Sequence, residues 1–168
     1  MRFEEAIAER EQALALDPAE VSAILGLAWD YLFLGQYEKG LESFDKAIRL
    51  SPRDPSLPYI ANGKSWAYFW LKQYDQAIDW ARRAIAVGTN EPYPYASLAA
   101  ALALTGHEVE AREALQRFLA LPSSGRLRTI AAWKAYQWRY VNARTDPRVL
   151  EGYERTLEGL RKAGMPEE

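Results

Sequence analysis

Ala6, Ala13 and Pro18 recur thirty-four residues later as Gly40, Ala47 and Pro52, with Phe3 answered by Tyr37 in the same frame. A second recurrence takes Tyr74, Ala77, Ala81 and Ala84 to Glu108, Ala111, Leu115 and Phe118, again thirty-four residues apart. The step from Tyr37 to Tyr74 is thirty-seven because three residues are added around Pro52-Arg53-Asp54-Pro55. A fixed period in this range marks stacked helix pairs: two helices of about fourteen residues and two short turns use up roughly thirty-four residues, and neither helix buries its apolar stripe alone. Ala28, Ser65 and Ala99 in first helices, and Gly40, Ala77 and Ala111 in second helices, put small side chains where axes must approach to about 8–10 Å.

The pattern predicts an all-α chain with about nine helices, at 3–16, 20–34, 37–50, 57–71, 74–87, 93–105, 108–120, 127–142 and 147–163. Proline punctuates it, at Pro18, Pro52, Pro55, Pro58, Pro92, Pro94, Pro122 and Pro147, since proline suits a first turn and breaks an interior. Asp146 before Pro147 reads as an N-cap. The 168 residues read as one domain: a half repeat at 3–18, full repeats at 21–54, 58–91 and 92–125, and a C-terminal helical cap at 126–168. The stripe Leu150, Tyr153, Leu157 and Leu160, with charged residues around it, suits a terminal helix that closes a solenoid. Residues 3–18 match the second helix of a repeat without its first, so either they are a natural N-terminal cap or the chain is part of a longer protein.

Chemistry is sparse. Lys and Arg number 21 against 23 for Asp and Glu, which gives no field for nucleic acid or an acidic membrane. The absence of cysteine removes disulfides, thiol catalysis and thiolate metal sites. His107, the single histidine, sits with Gly106 in a turn, and there is no Gly-rich phosphate loop. No catalytic residue, metal site or cofactor is expected, and the chain reads as a non-enzyme. The start Met1-Arg2-Phe3-Glu4-Glu5 leads into an amphipathic helix and not a signal peptide. The most apolar run, Ala96 to Thr105, is about half the ~20 residues a membrane span needs. A cytoplasmic location and no membrane insertion are the expectations.

The frame Leu27-Ala28-x-x-Tyr31-x-x-Leu34-Gly35-x-Tyr37-x-x-Gly40-x-x-x-Phe44-x-x-Ala47-x-x-x-x-Pro52 resembles the tetratricopeptide repeat (TPR) family. The second copy departs from it with Lys64 for Leu27, Lys72 for Gly35 and Thr89 for Pro52; the third keeps Leu98-Ala99, Leu102, Gly106, Ala111, Leu115 and Phe118. The resemblance covers about residues 3–122 and implies an α-α superhelix whose concave face, lined by first helices, binds protein. Carrying the family's groove positions onto this frame selects Leu25, Trp29 and Phe33 with Ser22 and Leu32, then Tyr59, Asn62, Trp66, Phe69 and Trp70, then Tyr93 with Ala96, Ala100 and Ala103. The clamp that some family members use for chaperone C-termini looks absent, with Asn62 its only polar match.

Trp29/Phe33 and Trp66/Trp70 are i,i+4 pairs that show their rings along one helical face. Two readings stand. The rings are inter-repeat core, or at least two of them are exposed anchors for a peptide or helix from a partner or from the same polypeptide. The tail, from Asp146-Pro147 through Leu157-Glu158-Gly159-Leu160-Arg161-Lys162-Ala163-Gly164-Met165-Pro166, resembles the end of repeat regions attached to bacterial class III adenylate or guanylate cyclases and to winged-helix activators. That resemblance implies a regulatory or scaffolding role in a bacterial signalling protein. Homo-oligomerisation through the edge of the first helix is the alternative.

Overall fold

The computed structural model describes residues 3–88, 91–141 and 145–168, and among them finds nine α-helices, a 3-10 turn at Pro122–Ser124 and no strand. The helices are α1 Phe3–Leu16, α2 Val21–Phe33, α3 Tyr37–Leu50, α4 Leu57–Trp70 and α5 Tyr74–Ala86, followed by α6 Tyr93–Leu104, α7 Glu108–Ala120, α8 Ile130–Trp138 and α9 Pro147–Ala163. Neighbours in sequence pack as pairs from α1 through α7, giving the expected superhelix with α2, α4 and α6 as first helices. Thr89, and position 142 at the end of the eighth predicted helix, lie outside the described residues.

The period is enforced at each turn within a repeat. Gly35 (φ 74°), Lys72 (φ 63°) and Gly106 (φ 83°) all take the left-handed conformation there. The next amide then reaches back to the preceding helix, from Gln36 to the Tyr31 carbonyl at 2.8 Å, Gln73 to Tyr68 at 2.9 Å and His107 to Leu102 at 2.9 Å. Three equivalent closures set one angle between the helices of a pair.

The second repeat's departure from the frame has a physical account. Lys64, only 4% exposed, lays its stem in the core, pairs its ammonium with the Asp45 carboxylate of α3 and stands 4.0 Å from the centre of the Trp80 ring. Small residues sit at the crossings. A β-carbon on Gly40 would collide with Leu32, and Ser65 donates to the Ala77 carbonyl at 2.9 Å while meeting Ser97 at 2.8 Å. Those two hydroxyls link consecutive repeats through the core.

The C-terminal segment differs from the expected cap. α8 is shorter than 127–142, because Leu127 closes a turn onto Ser124 and Thr129 caps the helix by accepting from Ala132 N at 3.1 Å. α9 has the predicted bounds and its Asp146 cap, which accepts from Arg148 N at 2.7 Å. Its buried stripe is Val149, Tyr153, Leu157 and Leu160, with Gly152, Thr156 and Gly159 beside it. Leu150 is displaced from the stripe by Val149, which reaches the Gly35 turn. α9 does not stack beyond α7 to cap the end of the superhelix. It packs most extensively on α6, with further contacts to α4, α7 and α8.

Candidate functional site: the concave face

The path of α9 follows from its contacts. At its start, the Tyr37 hydroxyl donates to the Arg148 carbonyl at 3.0 Å and Arg148 pairs with Glu38 at 2.9 Å, both at the turn of the first repeat. In its middle, Trp70 Nε1 donates to Thr156 Oγ1 at 3.3 Å, and Lys72 pairs with Glu151 at 2.6 Å, at the end of α4. Towards its end, Gly159 lies on Ala100 in the middle of α6. α9 therefore crosses the concave face from the first repeat to the third.

α8 covers the other part of that face in the opposite direction. Its start is tied to the tail beyond α9 by Ile130 N donating to the Pro166 carbonyl at 2.8 Å and Ala131 N to Glu167 at 3.0 Å. Trp133 then enters a cluster with Trp66 and Phe118, each 6.1 Å away between ring centres. Tyr140, just past the helix, stacks on Phe33 at 5.0 Å. A helical hairpin lies in the groove.

Between the hairpin and the repeats remains a cavity of about 480 Å³. From the repeats it is lined by Trp29, Phe33, Tyr59, Asn62, Trp66 and Trp70, with Tyr93 beside them. From the hairpin come Trp133, Tyr136, Gln137, Tyr140 and Tyr153. Pro55 and Glu91, from the connections between repeats, and Pro58 and Pro94, in the first turns of α4 and α6, complete it. The rings support one another, Trp29 with Tyr59 at 5.1 Å and Trp66 stacked on Trp70 at 5.6 Å.

Seven of the fourteen groove positions named from the sequence thus meet around one space, and seven do not. Phe69 is fully buried on the other side of α4, edge-on to Tyr74 at 5.6 Å. Leu25 is 7% exposed and belongs to the core that α2 forms with α3 and α4. Both point into the solenoid because a helix that packs on two neighbours has little free face. Ser22 lies apart, its hydroxyl donating to Glu20 Oε1 at 2.7 Å, and Leu32, Ala96, Ala100 and Ala103 are buried. Of the aromatic set, Tyr59 is 51% exposed while Trp66 is 5% exposed. Trp66 is covered by the C-terminal hairpin together with its own repeat.

The site's second wall was not anticipated. Trp133, Tyr136 and Tyr140 recur at i, i+3 and i+7, a ring-rich face wider than a cap needs, and Gly152 and Gly159 stand seven apart on one face of α9. Those spacings are the signal that the sequence offered.

No lysine or arginine lines the cavity among the described residues, and Glu91 is its one charged group. Burial raises the phenols: Tyr136 is pushed up to about 12, helped by a hydrogen bond with Tyr93, and Tyr153 is raised as well, chiefly by burial. Several lining side chains end in buried polar atoms without a hydrogen-bond partner in the protein: Trp29 Nε1, Trp133 Nε1, Asn62 Oδ1, Gln137 Oε1 and the Tyr153 hydroxyl. Among the described residues no cluster of three or more His, Cys, Asp or Glu is placed to hold a metal, and no helix is long and apolar enough to cross a membrane.

The fold and this face define the class of molecule: a helical-repeat solenoid whose concave surface is occupied by its own last two helices. The tetratricopeptide repeat family matches residues 2–55 and 25–97, and the chain belongs to that family. No curated protein matches by sequence. Among solved structures, one of MamA is 24% identical with a TM-score of 0.64, covering 95% of this chain and 90% of that one. MamA 41-end from Desulfovibrio magneticus RS-1 is 18% identical with a TM-score of 0.65, covering 96% and 87%. YrrB, described as a TPR protein with an unusual peptide-binding site, is 19% identical with a TM-score of 0.59, covering 95% and 79%. These likenesses establish the superhelix.

Proposed function

We propose that the chain is a protein-interaction module whose concave face takes an amphipathic helix, and that α8 and α9 hold that place in the unbound chain. The observation that carries this reading is the seating of α9: a helix with one narrow apolar stripe lies across the first helices, against the aromatic positions that the repeat frame leaves free. A partner helix of the same pattern would compete with α9 for Trp70 and the alanine face of α6. The YrrB title's peptide-binding site supports the general mode. The tail's resemblance to cyclase-attached repeats supports a place in the cytoplasm as the regulatory or scaffolding region of a bacterial signalling protein, such as an adenylate cyclase or a winged-helix activator.

The test uses a fluorescent peptide of residues 147–163 added to the full chain and to its Gly159→Leu variant. The variant loosens the resident helix and is expected to capture the peptide at least tenfold more tightly, and Trp70→Ala added to it should remove that gain. Equal, negligible capture by two chains of native circular dichroism would count against the reading. A second reading, self-association through α1, is favoured by Leu16 being 90% exposed on a helix whose only buried residue is Phe3. Mass by light scattering decides it.

A further inference from the structure

We propose that the N-terminal helix senses the state of the concave face, because the rings of Phe3, Phe33 and Tyr140 clasp α1 to the C-terminal hairpin. The three rings form a triangle. Their centres lie 5.2 Å apart for Phe3 and Phe33, 5.0 Å for Phe33 and Tyr140, and 6.4 Å for Phe3 and Tyr140. Phe3 starts α1, Phe33 ends α2, and Tyr140 directly follows α8. The Tyr140 amide donates to the Gln137 carbonyl at 3.1 Å, so this ring travels with α8.

The contact matters because little else holds α1. This helix packs on α2 and extensively on no other helix. Phe3, 8% exposed, is its one buried residue. Its further ties are Arg10, which lies over Gly26 and pairs with Asp30 at 3.2 Å, and Glu11, which accepts from the Tyr31 hydroxyl at 3.4 Å. Leu14 adds a partly buried contact with the neighbouring core. A helix of fourteen residues is marginal in water without such support.

Two states follow. With the hairpin seated, Phe3 meets both other rings. The tail bonds α8 to the end of α9, so a partner helix that displaces α9 draws Tyr140 away and leaves Phe3 with Phe33 alone; this step rests on the partner reading given above. One aromatic pair changes an equilibrium by a factor of about three to ten, which sets how far α1 loosens when the groove changes occupant. Coupling is reciprocal: whatever holds α1 on α2 favours the seated hairpin and weakens capture of a partner by the same factor.

Native-state hydrogen exchange of the full chain and of its Tyr140→Leu and Phe3→Leu variants tests the clasp. The α1 amides are expected to exchange about three- to tenfold faster in Tyr140→Leu, and the α8 amides by the same factor in Phe3→Leu. Helix α5, which packs on α4 and α6, should keep its rates in both. NOEs from the Phe3 ring to the Phe33 and Tyr140 rings of the unaltered chain check the triangle without any variant. If these results hold and no chain captures the 147–163 peptide, the clasp stands and the partner reading alone falls. Unchanged α1 and α8 rates in folded variants, equal acceleration of α5, or absence of the Phe3–Tyr140 NOE would each overturn the proposal.

Discussion

Gly159 rests on Ala100 so closely that a β-carbon on the glycine would come within 2.7 Å of the Ala100 carbonyl oxygen and 2.8 Å of its methyl. Two of the nearest atoms are backbone, so no side-chain rotation relieves the contact. Gly159→Ala adds about 1 kcal/mol of helix propensity to α9 and forces α9 away from α6. The overpacking is expected to prevail, with a net loss of about 1–3 kcal/mol in urea unfolding. A gain in stability would mean that α9 is not seated on α6.

Lys72 occupies the left-handed position that glycine fills in the other two repeats, at φ 63°. Lys72→Gly removes a backbone cost of about 1–2 kcal/mol, offset in part by the greater freedom of glycine in the unfolded chain. It also removes the exposed pair with Glu151. Lys72→Ala loses that pair and keeps the strained backbone. Thermal midpoints should therefore fall in the order Gly, Lys, Ala, and an alanine variant above glycine would contradict the turn's role.

The buried lysine of the second repeat gives a contrast of signs. Asp45→Ala leaves the Lys64 ammonium in the core with only the Trp80 ring beside it, at an expected cost of about 1–3 kcal/mol. Lys64→Leu restores the residue type of the first repeat and removes the buried charge, so it should be close to neutral or stabilising. Denaturant midpoints of the two variants check this, and equal losses would argue against a buried Lys64 that depends on the half-exposed Asp45.

Proton linkage runs in two directions. Tyr136, raised to about 12 by burial and its Tyr93 hydrogen bond, favours the neutral phenol in the fold. Stability from it is fully present below the ordinary value of 10.0 and is lost as pH rises through about 12. Glu38 and Glu151 have the opposite sign. Hydrogen bonds from Arg148 to Glu38, and from Lys72 then Arg155 to Glu151, hold both carboxyls below 4.5. Their support for α9 is present above that value and fades as pH falls through the lowered ones. Absorbance at 295 nm should show a class of tyrosines that ionises late and together with unfolding, whereas a single transition near pH 10 in the folded chain would contradict the buried site.

The superhelix was legible because its cause is local and repeated: small residues at crossings, prolines at boundaries and one left-handed residue per turn. The positions facing the cavity were legible for the same reason, since the frame leaves Trp29, Phe33, Tyr59, Asn62, Trp66, Trp70 and Tyr93 on one side of successive helices. Leu25 and Phe69 fall on that list by spacing alone, and only the packing of α3 and α5 decides that they turn inward. What covers the rings was not legible in the same way. Tyr153, Leu157 and Leu160 form the stripe that either an end cap or a groove helix requires, and hydrophobic spacing does not distinguish the two. Gly152 and Gly159 mark a close crossing, as Gly40 does between stacked helices, and only the structure shows that the partners are Trp70 and Ala100.

The central claim is that the C-terminal helix lies in the concave face. It is tested most directly by proton NMR of the 168-residue chain, observing the Ala100 methyl and the Gly159 α-protons. A strong NOE between them at neutral pH, lost in Gly159→Leu, is the predicted result. A folded chain of native helicity in which that NOE is absent, with Ala100 open to solvent, would contradict the account.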